Sequence, residues 1–250
     1  MTDRYGHLAT FARPTLESNR GWSRSAFAER LGVDPVRVEQ PAGERRLSLT
    51  EWERNYDRDD AFFELLDGIY VRKILHAENS GLAGDLATLW IMAAEAERVA
   101  SGEEWERLVV LPGDCGVATV RDGLIPNLSV VRRKAMLAAG RQNWTAPEPI
   151  LVVELLAPEH TARELRRKRT DYLQSGVQEV WVADPNGMTV EVWTSNVRPS
   201  VYGGEDAIPC DRLFAGLRVP VRDWLRGRLV RRVRELTDAM TGHEAEPPPA

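Results

Sequence analysis

Cysteine is nearly absent from this 250-residue chain: Cys115 and Cys210 stand far apart and outside any Cys-x-x-Cys spacing. That excludes a disulfide framework and a thiolate zinc site. Histidine is as sparse, with four residues dispersed along the chain, so a histidine-rich zinc centre is not expected either. No stretch approaches the roughly 18 consecutive apolar residues of a membrane span. Met1 to Asn19 lacks the basic patch and apolar run of a secretion signal. The expectation is a cytoplasmic protein that does not enter membranes. No internal repeat is present.

What is there is ordinary for a soluble chain: 28% charged and 43% hydrophobic residues, enough for a substantial core in one elaborated domain with a small appendage. The formal net charge is −5, whereas a nucleic-acid binder needs at least one basic face. Two clusters supply positive charge locally: Arg163, Arg166, Arg167, Lys168 and Arg169, then Arg226, Arg228, Arg231, Arg232 and Arg234. Each reads either as a solvated helix face or as a contact surface for a polyanion.

Along the chain, Ser25 to Val33 followed by Asp34-Pro35 predicts a short helix and a turn. Ser48-Leu49-Thr50-Glu51 has the spacing of a capping box, and a globular domain is expected to begin there. Phe62 to Lys73 reads as a strand, and Leu82 to Val99 as a helix with Leu82, Leu86, Leu89, Ala93 and Ala96 on one face. Gly116 to Val120 and Leu124 to Val131, joined through Asp122-Gly123, predict a hairpin. The most hydrophobic run, Pro149 to Leu156, predicts a central strand buried on both faces. Thr161 and Glu164 form a second capping box for a helix that stops at Gly176. Glu179 to Ala183 and Met188 to Trp193 flank the turn residues Asp184-Pro185-Asn186-Gly187. A last helix is expected over Val221 to Met240, and a frayed tail beyond it.

One acid interrupts the central strand. A buried carboxylate costs several kcal/mol unless it meets a cation or hydrogen-bond donors, so Glu154 calls for a metal or a lysine. Candidates stand in order around it: Pro126-Asn127 precedes it, and Lys168 follows on a helix, with Glu164 and Tyr172 four residues away on the same face.

With Glu64-Leu65-Leu66-Asp67-Gly68, His76, Pro126-Asn127, Val152-Val153-Glu154-Leu155-Leu156-Ala157-Pro158 and Lys168-x-x-x-Tyr172-x-x-x-Gly176-Val177-x-Glu179-x-Trp181-x-x-Asp184-Pro185 in hand, the chain from about Leu47 to Leu225 resembles the bacterial restriction-endonuclease-like proteins of the PD-(D/E)XK nuclease superfamily. The resemblance implies an α/β restriction-endonuclease-like fold, a mixed central β-sheet flanked by helices. The expected division is an N-terminal extension over 1–46, the nuclease-like domain over 47–242 and a disordered tail over 243–250.

Carried onto this sequence, the resemblance makes Glu64 an accessory acid, position 127 and Glu154 the metal ligands, and Lys168 the active-site lysine, moved from the strand onto the helix because Leu156 stands two residues after Glu154. The implied cofactor is Mg²⁺ or Mn²⁺ and the implied partner DNA, because phosphodiester hydrolysis needs a hard cation on oxygen ligands and a positive group beside the attacking water. A homodimer would organise duplex cleavage by two-fold symmetry, although no motif specifies one. The departure is Asn127, where the family carries aspartate: a neutral amide does not offset a metal's charge. Two readings follow, a DNA endonuclease impaired at Asn127 and a noncatalytic nucleic-acid-binding or assembly protein on a nuclease scaffold.

Overall fold

The computed structural model describes residues 23–39, 46–55, 62–101, 108–113, 115–139, 145–233 and 235–237. Its strands, in chain order, are β1 (Val38–Glu39), β2 (Phe63–Leu66), β3 (Ile69–Arg72), β4 (Leu108–Pro112), β5 (Val117–Ala118), β6 (Gly123–Leu124), β7 (Leu128–Arg132), β8 (Leu151–Leu155), β9 (Glu179–Asp184), β10 (Thr189–Trp193), β11 (Ser200–Gly203), β12 (Ala207–Pro209) and β13 (Arg218–Pro220). The helices are α1 (Arg24–Leu31), α2 (Leu49–Asn55), α3 (Ala77–Ser101), α4 (Arg133–Ala139), α5 (Ala162–Gln174) and α6 (Val221–Leu225).

β8 is buried at all five positions, as expected for a strand covered on both faces. It lies inside a six-stranded mixed sheet of order β11-β10-β9-β8-β7-β4. The β8–β9 pair is parallel and the other pairs of this sheet are antiparallel. The parallel pair requires a crossover, which α5 supplies. A second sheet has the order β1-β3-β2-β6-β5, and β12 pairs with β13 separately.

Side-chain alternation sorts β8 and β9 between two apolar layers. Leu151, Val153, Leu155, Trp181 and Ala183 join Leu86, Leu89 and Trp90 of α3 and Trp224 of α6 on one face. Three indoles meet there, with Trp90–Trp181 centroids 5.5 Å apart and Trp181–Trp224 5.9 Å. On the other face Val152 and Val180 pack with Leu66, Ile69 and Val71 of the small sheet, Tyr172 of α5, and Phe27, Leu31 and Val38. The boundary expected at residue 47 therefore does not coincide with an edge of the packing. Residues 23–39 lie in the same core, and β1 pairs with β3. The expected tail over 243–250 lies outside the described residues, as does Arg234 of the second basic cluster.

Three elements differ from the sequence expectation. Phe62 to Lys73 is a hairpin rather than one strand: Asp67 and Gly68 take φ of 51° and 77°, the pair of positive values that a tight two-residue turn demands. The Asp122-Gly123 hairpin is short, pairing β5 with β6. Pro126, which has no N–H to give to a ladder, marks where the chain leaves the small sheet before β7 enters the large one. The expected final helix is interrupted after Leu225: a 3-10 turn follows at Leu229–Arg232, and Val233 and Glu235 to Thr237 are helical again.

Candidate active site

The capping chemistry that the sequence implies sets up the site. Thr161 Oγ1 accepts the Glu164 N–H at 3.0 Å and starts α5. The reciprocal half of the expected box is replaced by a longer-range bond, because the Glu164 carboxylate takes Arg37 in a two-pronged ion pair at 2.8 and 2.9 Å. From that first turn, four-residue spacing carries Lys168 and Tyr172 along the buried face of the helix. On the large sheet, alternation from Val152 turns Glu154 to the layer shared with α5 and the small sheet.

The small sheet brings two further groups. Glu64 on β2 lies opposite Val71 on β3, and the face carrying Ile69 and Val71 continues, at period two, to Lys73. Both Glu64 and Lys73 are buried.

Lys168 Nζ donates to Glu64 Oε1 at 2.7 Å and lies 3.5 Å from Glu154 Oε1. Tyr172 donates its hydroxyl to the same Glu154 oxygen at 2.8 Å, and Lys73 Nζ approaches the other, Oε2, at 3.3 Å. The Ile125 N–H donates to Glu64 Oε1 at 2.9 Å. Glu64 Oε2 is buried with no hydrogen-bond partner among the described residues.

Burial opposes charge on Glu154, Lys168, Lys73 and Tyr172, and the balance between burial and pairing differs among them. Glu154 is held below the usual carboxylate range: its burial is overcome by Lys168, Lys73 and the tyrosine hydroxyl. Lys168, equally buried, is raised above the usual lysine range by Glu154 and Glu64. For Lys73 burial wins, and its amine is lowered despite Glu154. Tyr172 is raised, by burial first and then by the nearby acids, so its hydroxyl remains a donor. Beside them, burial and the neighbouring cations push His160 down to about 2; its neutral ring accepts the Ala157 N–H on Nδ1 at 3.0 Å.

Asn127 stands at the entrance to β7. Its backbone N–H donates to Val153 O at 3.0 Å, and its side-chain Oδ1 accepts the Leu155 N–H at 2.8 Å. A backbone N–H admits only an acceptor, so the amide oxygen is committed to the strand and the remaining group of the side chain is an NH₂ donor. As they stand, these side chains do not suit a hard divalent cation. Each carboxylate already has a lysine, position 127 adds no negative charge, and among the described residues no cluster of three or more acidic, histidine or cysteine side chains is placed to hold a metal.

The structure thus brings Glu64, Glu154 and Lys168 together and puts Asn127 on the neighbouring strand end. His76 lies apart from them, half exposed, with Nε2 3.0 Å from Glu159 Oε2. Two participants escape the sequence reading. Tyr172 is placed there on the face of Lys168 but is given no part in the site. Lys73 carries a fainter signal, the continuation of the Ile69, Val71 alternation by a charged residue. A second polar cluster flanks the first: Arg167 clasps Asp122 with two bonds of 2.8 Å, and Asp171, close enough to Asp122 to influence its charge, receives Arg121 Nε at 2.9 Å.

A mixed sheet with a buried acid on the strand before a parallel crossover, and a lysine reaching it from the crossover helix, defines an α/β protein of the restriction-endonuclease-like class. Residues 48–222 match the family described as "Uma2: Putative restriction endonuclease", and the chain belongs to that family. Its fold is similar to a crystal structure described as "a putative nuclease belonging to DUF820" from Anabaena variabilis ATCC 29413, with a TM-score of 0.57 at 15% identity over 68% of this chain and 93% of that one. No curated protein matches the sequence.

Proposed function

We propose that this protein acts on DNA as a nuclease-family protein in which Glu154 and Lys168 are the retained active-site groups, Glu64 is an accessory acid, and Mg²⁺-dependent phosphodiester hydrolysis is impaired at position 127. The observation that carries this reading is the bond from the Leu155 N–H to Asn127 Oδ1. An aspartate making that bond would still present a charged oxygen; asparagine presents an NH₂ group. A ligand position is thereby turned into a donor, and a cation there loses one negative charge and one oxygen.

The noncatalytic alternative, a nucleic-acid-binding or assembly protein on the same scaffold, is favoured by one feature of its own: both buried lysines are spent on the carboxylates. The basic residues Arg226, Arg228 and Arg231 are exposed, as are Arg163 and Arg166 on α5, and would contact a phosphate backbone in either case.

The test is cleavage of supercoiled plasmid and single-stranded DNA with Mg²⁺ or Mn²⁺ by wild type, Asn127→Asp and Lys168→Ala, with duplex binding measured across a salt series. The expected result is salt-steep binding, weak or absent cleavage by wild type, and more cleavage by Asn127→Asp than by wild type. Efficient wild-type cleavage that Lys168→Ala removes would overturn the impairment and establish a working nuclease. Cleavage in none of the three, together with salt-steep binding, would favour the noncatalytic alternative, and absence of both would remove DNA as the partner.

A further inference from the structure

Lys73 has no role in the reading above, yet it is one of the most costly side chains in the molecule to bury. A lysine amine taken out of water costs several kcal/mol unless something compensates it, and here the side chain is 0% exposed with Glu154 Oε2 3.3 Å from its nitrogen. The four ionisable groups at the heart of the centre are two carboxylates and two amines, joined in the order Lys73–Glu154–Lys168–Glu64. Lys168 alone already touches both acids. A second amine is superfluous for holding them.

Its position gives it a different consequence. Of the four carboxylate oxygens, Glu154 Oε1 carries the Tyr172 hydroxyl and Lys168, and Glu64 Oε1 carries Lys168 and the Ile125 N–H. Glu154 Oε2 is the remaining oxygen of that acid, and Lys73 covers it. Glu64 Oε2, buried and without a hydrogen-bond partner among the described residues, is the counterpart on the other acid. A divalent ion entering the centre would have to displace the lysine amine from Glu154, in a set where each carboxylate is already paired with an amine.

We propose that Lys73 is a built-in competitor of the metal: its amine occupies the coordinating oxygen of Glu154, so the centre excludes divalent cations through Lys73 as well as through Asn127. This rests on the reading of Glu154 as the family's metal-binding acid, and it makes Lys73 a positioning residue that acts through Glu154. Two separate features would then have to be undone before the site takes a metal, the donor amide at 127 and the amine at 73.

The experiment is Mn²⁺ titration followed by electron paramagnetic resonance, with no nucleic acid present, on wild type, Lys73→Met, Lys73→Arg, Asn127→Asp and the Lys73→Met/Asn127→Asp double variant. Expected are no bound Mn²⁺ for wild type and Lys73→Arg at micromolar metal, weak binding by Asn127→Asp, and binding at least about tenfold tighter by the double variant than by Asn127→Asp alone, a tenfold change being about 1.4 kcal/mol. Micromolar binding by wild type, or equal affinity in Asn127→Asp with and without Lys73→Met, would overturn the proposal. Lys73→Gln serves if the methionine variant fails to fold, and micromolar Mn²⁺ binding by the near-isosteric Asn127→Asp alone would overturn it without any change at Lys73. Because metal affinity and cleavage are read separately, failure here leaves the impairment at Asn127 to be judged on its own assay.

Discussion

At the scale of single residues, several charged side chains are held in buried pairs whose partners come from distant parts of the sequence. Asp171 shows what such placement does to titration. Burial, and then its hydrogen bond and charge interaction with Asp122, outweigh Arg121 and raise its carboxyl to about 7. The unfolded chain ionises the same group near pH 4. Between those values the native state holds a proton that the unfolded state has lost, so the native state binds more protons and stability must fall as pH rises across that window. Below it both states are protonated, and above it both are ionised. Asp171→Asn, which keeps the donor to Asp122 without the titration, is expected to flatten this fall; the slope removed is at most about 1.4 kcal/mol per pH unit. Urea midpoints of wild type and variant from pH 4.5 to 8 provide the check, and parallel curves would refute the assignment.

At the scale of elements, the short hairpin before the site is fixed by one close approach. A Cβ at Gly123 would lie 2.4 Å from the Trp52 ring, and that ring cannot easily retreat, being buried and tied by Nε1 to Phe63 O at 2.8 Å. Gly123→Ala is expected to cost about 1–3 kcal/mol through overpacking. The loss should shrink in a Trp52→Leu background, since the two substitutions share a contact. Denaturant unfolding of the four proteins in the cycle decides it; additive losses would mean that the ring is not the obstacle. The capping boxes belong to this scale as well. That at Ser48 and Glu51 forms with both bonds the motif specifies, Glu51 N to Ser48 Oγ at 3.2 Å and Ser48 N to Glu51 Oε2 at 2.9 Å. That at Thr161 keeps one and gives its glutamate to Arg37, because a guanidinium 127 positions away offers a stronger, doubly bonded partner than one backbone N–H.

For the whole molecule, the first described segment is structural. Phe27, Leu31 and Val38 are buried in the layer between the sheets, and Arg37 neutralises the buried Glu164. A 47–250 fragment loses these burials, each about 1.5–3 kcal/mol, and leaves a buried carboxylate unpaired, a further loss of about 3–5 kcal/mol. Their sum rivals the whole stability of an ordinary domain, about 5–15 kcal/mol. The fragment is therefore expected to lack a cooperative thermal transition. A sharp melt by near-ultraviolet circular dichroism, close to that of the full chain, would show instead that residues 1–46 are a separable extension.

Short-range rules alone determined a good part of this protein. Alternation and the apolar run identified β8, β9 and β10; capping residues located α2 and α5; and four-residue spacing placed Glu164, Lys168 and Tyr172 on one helical face, because each of these depends on neighbours within a turn or two of the backbone. A carboxylate inside an apolar strand also announced that Glu154 needed cationic company. The tertiary structure alone decided which company it keeps. That Lys73 covers Glu154, that Arg37 belongs to Glu164, and that the Asn127 oxygen is committed to Leu155 all depend on how two sheets and a crossover helix meet. The partners lie 28 to 127 positions apart, and no local pattern encodes a pairing whose energy arises only once burial has removed the water that would otherwise screen it.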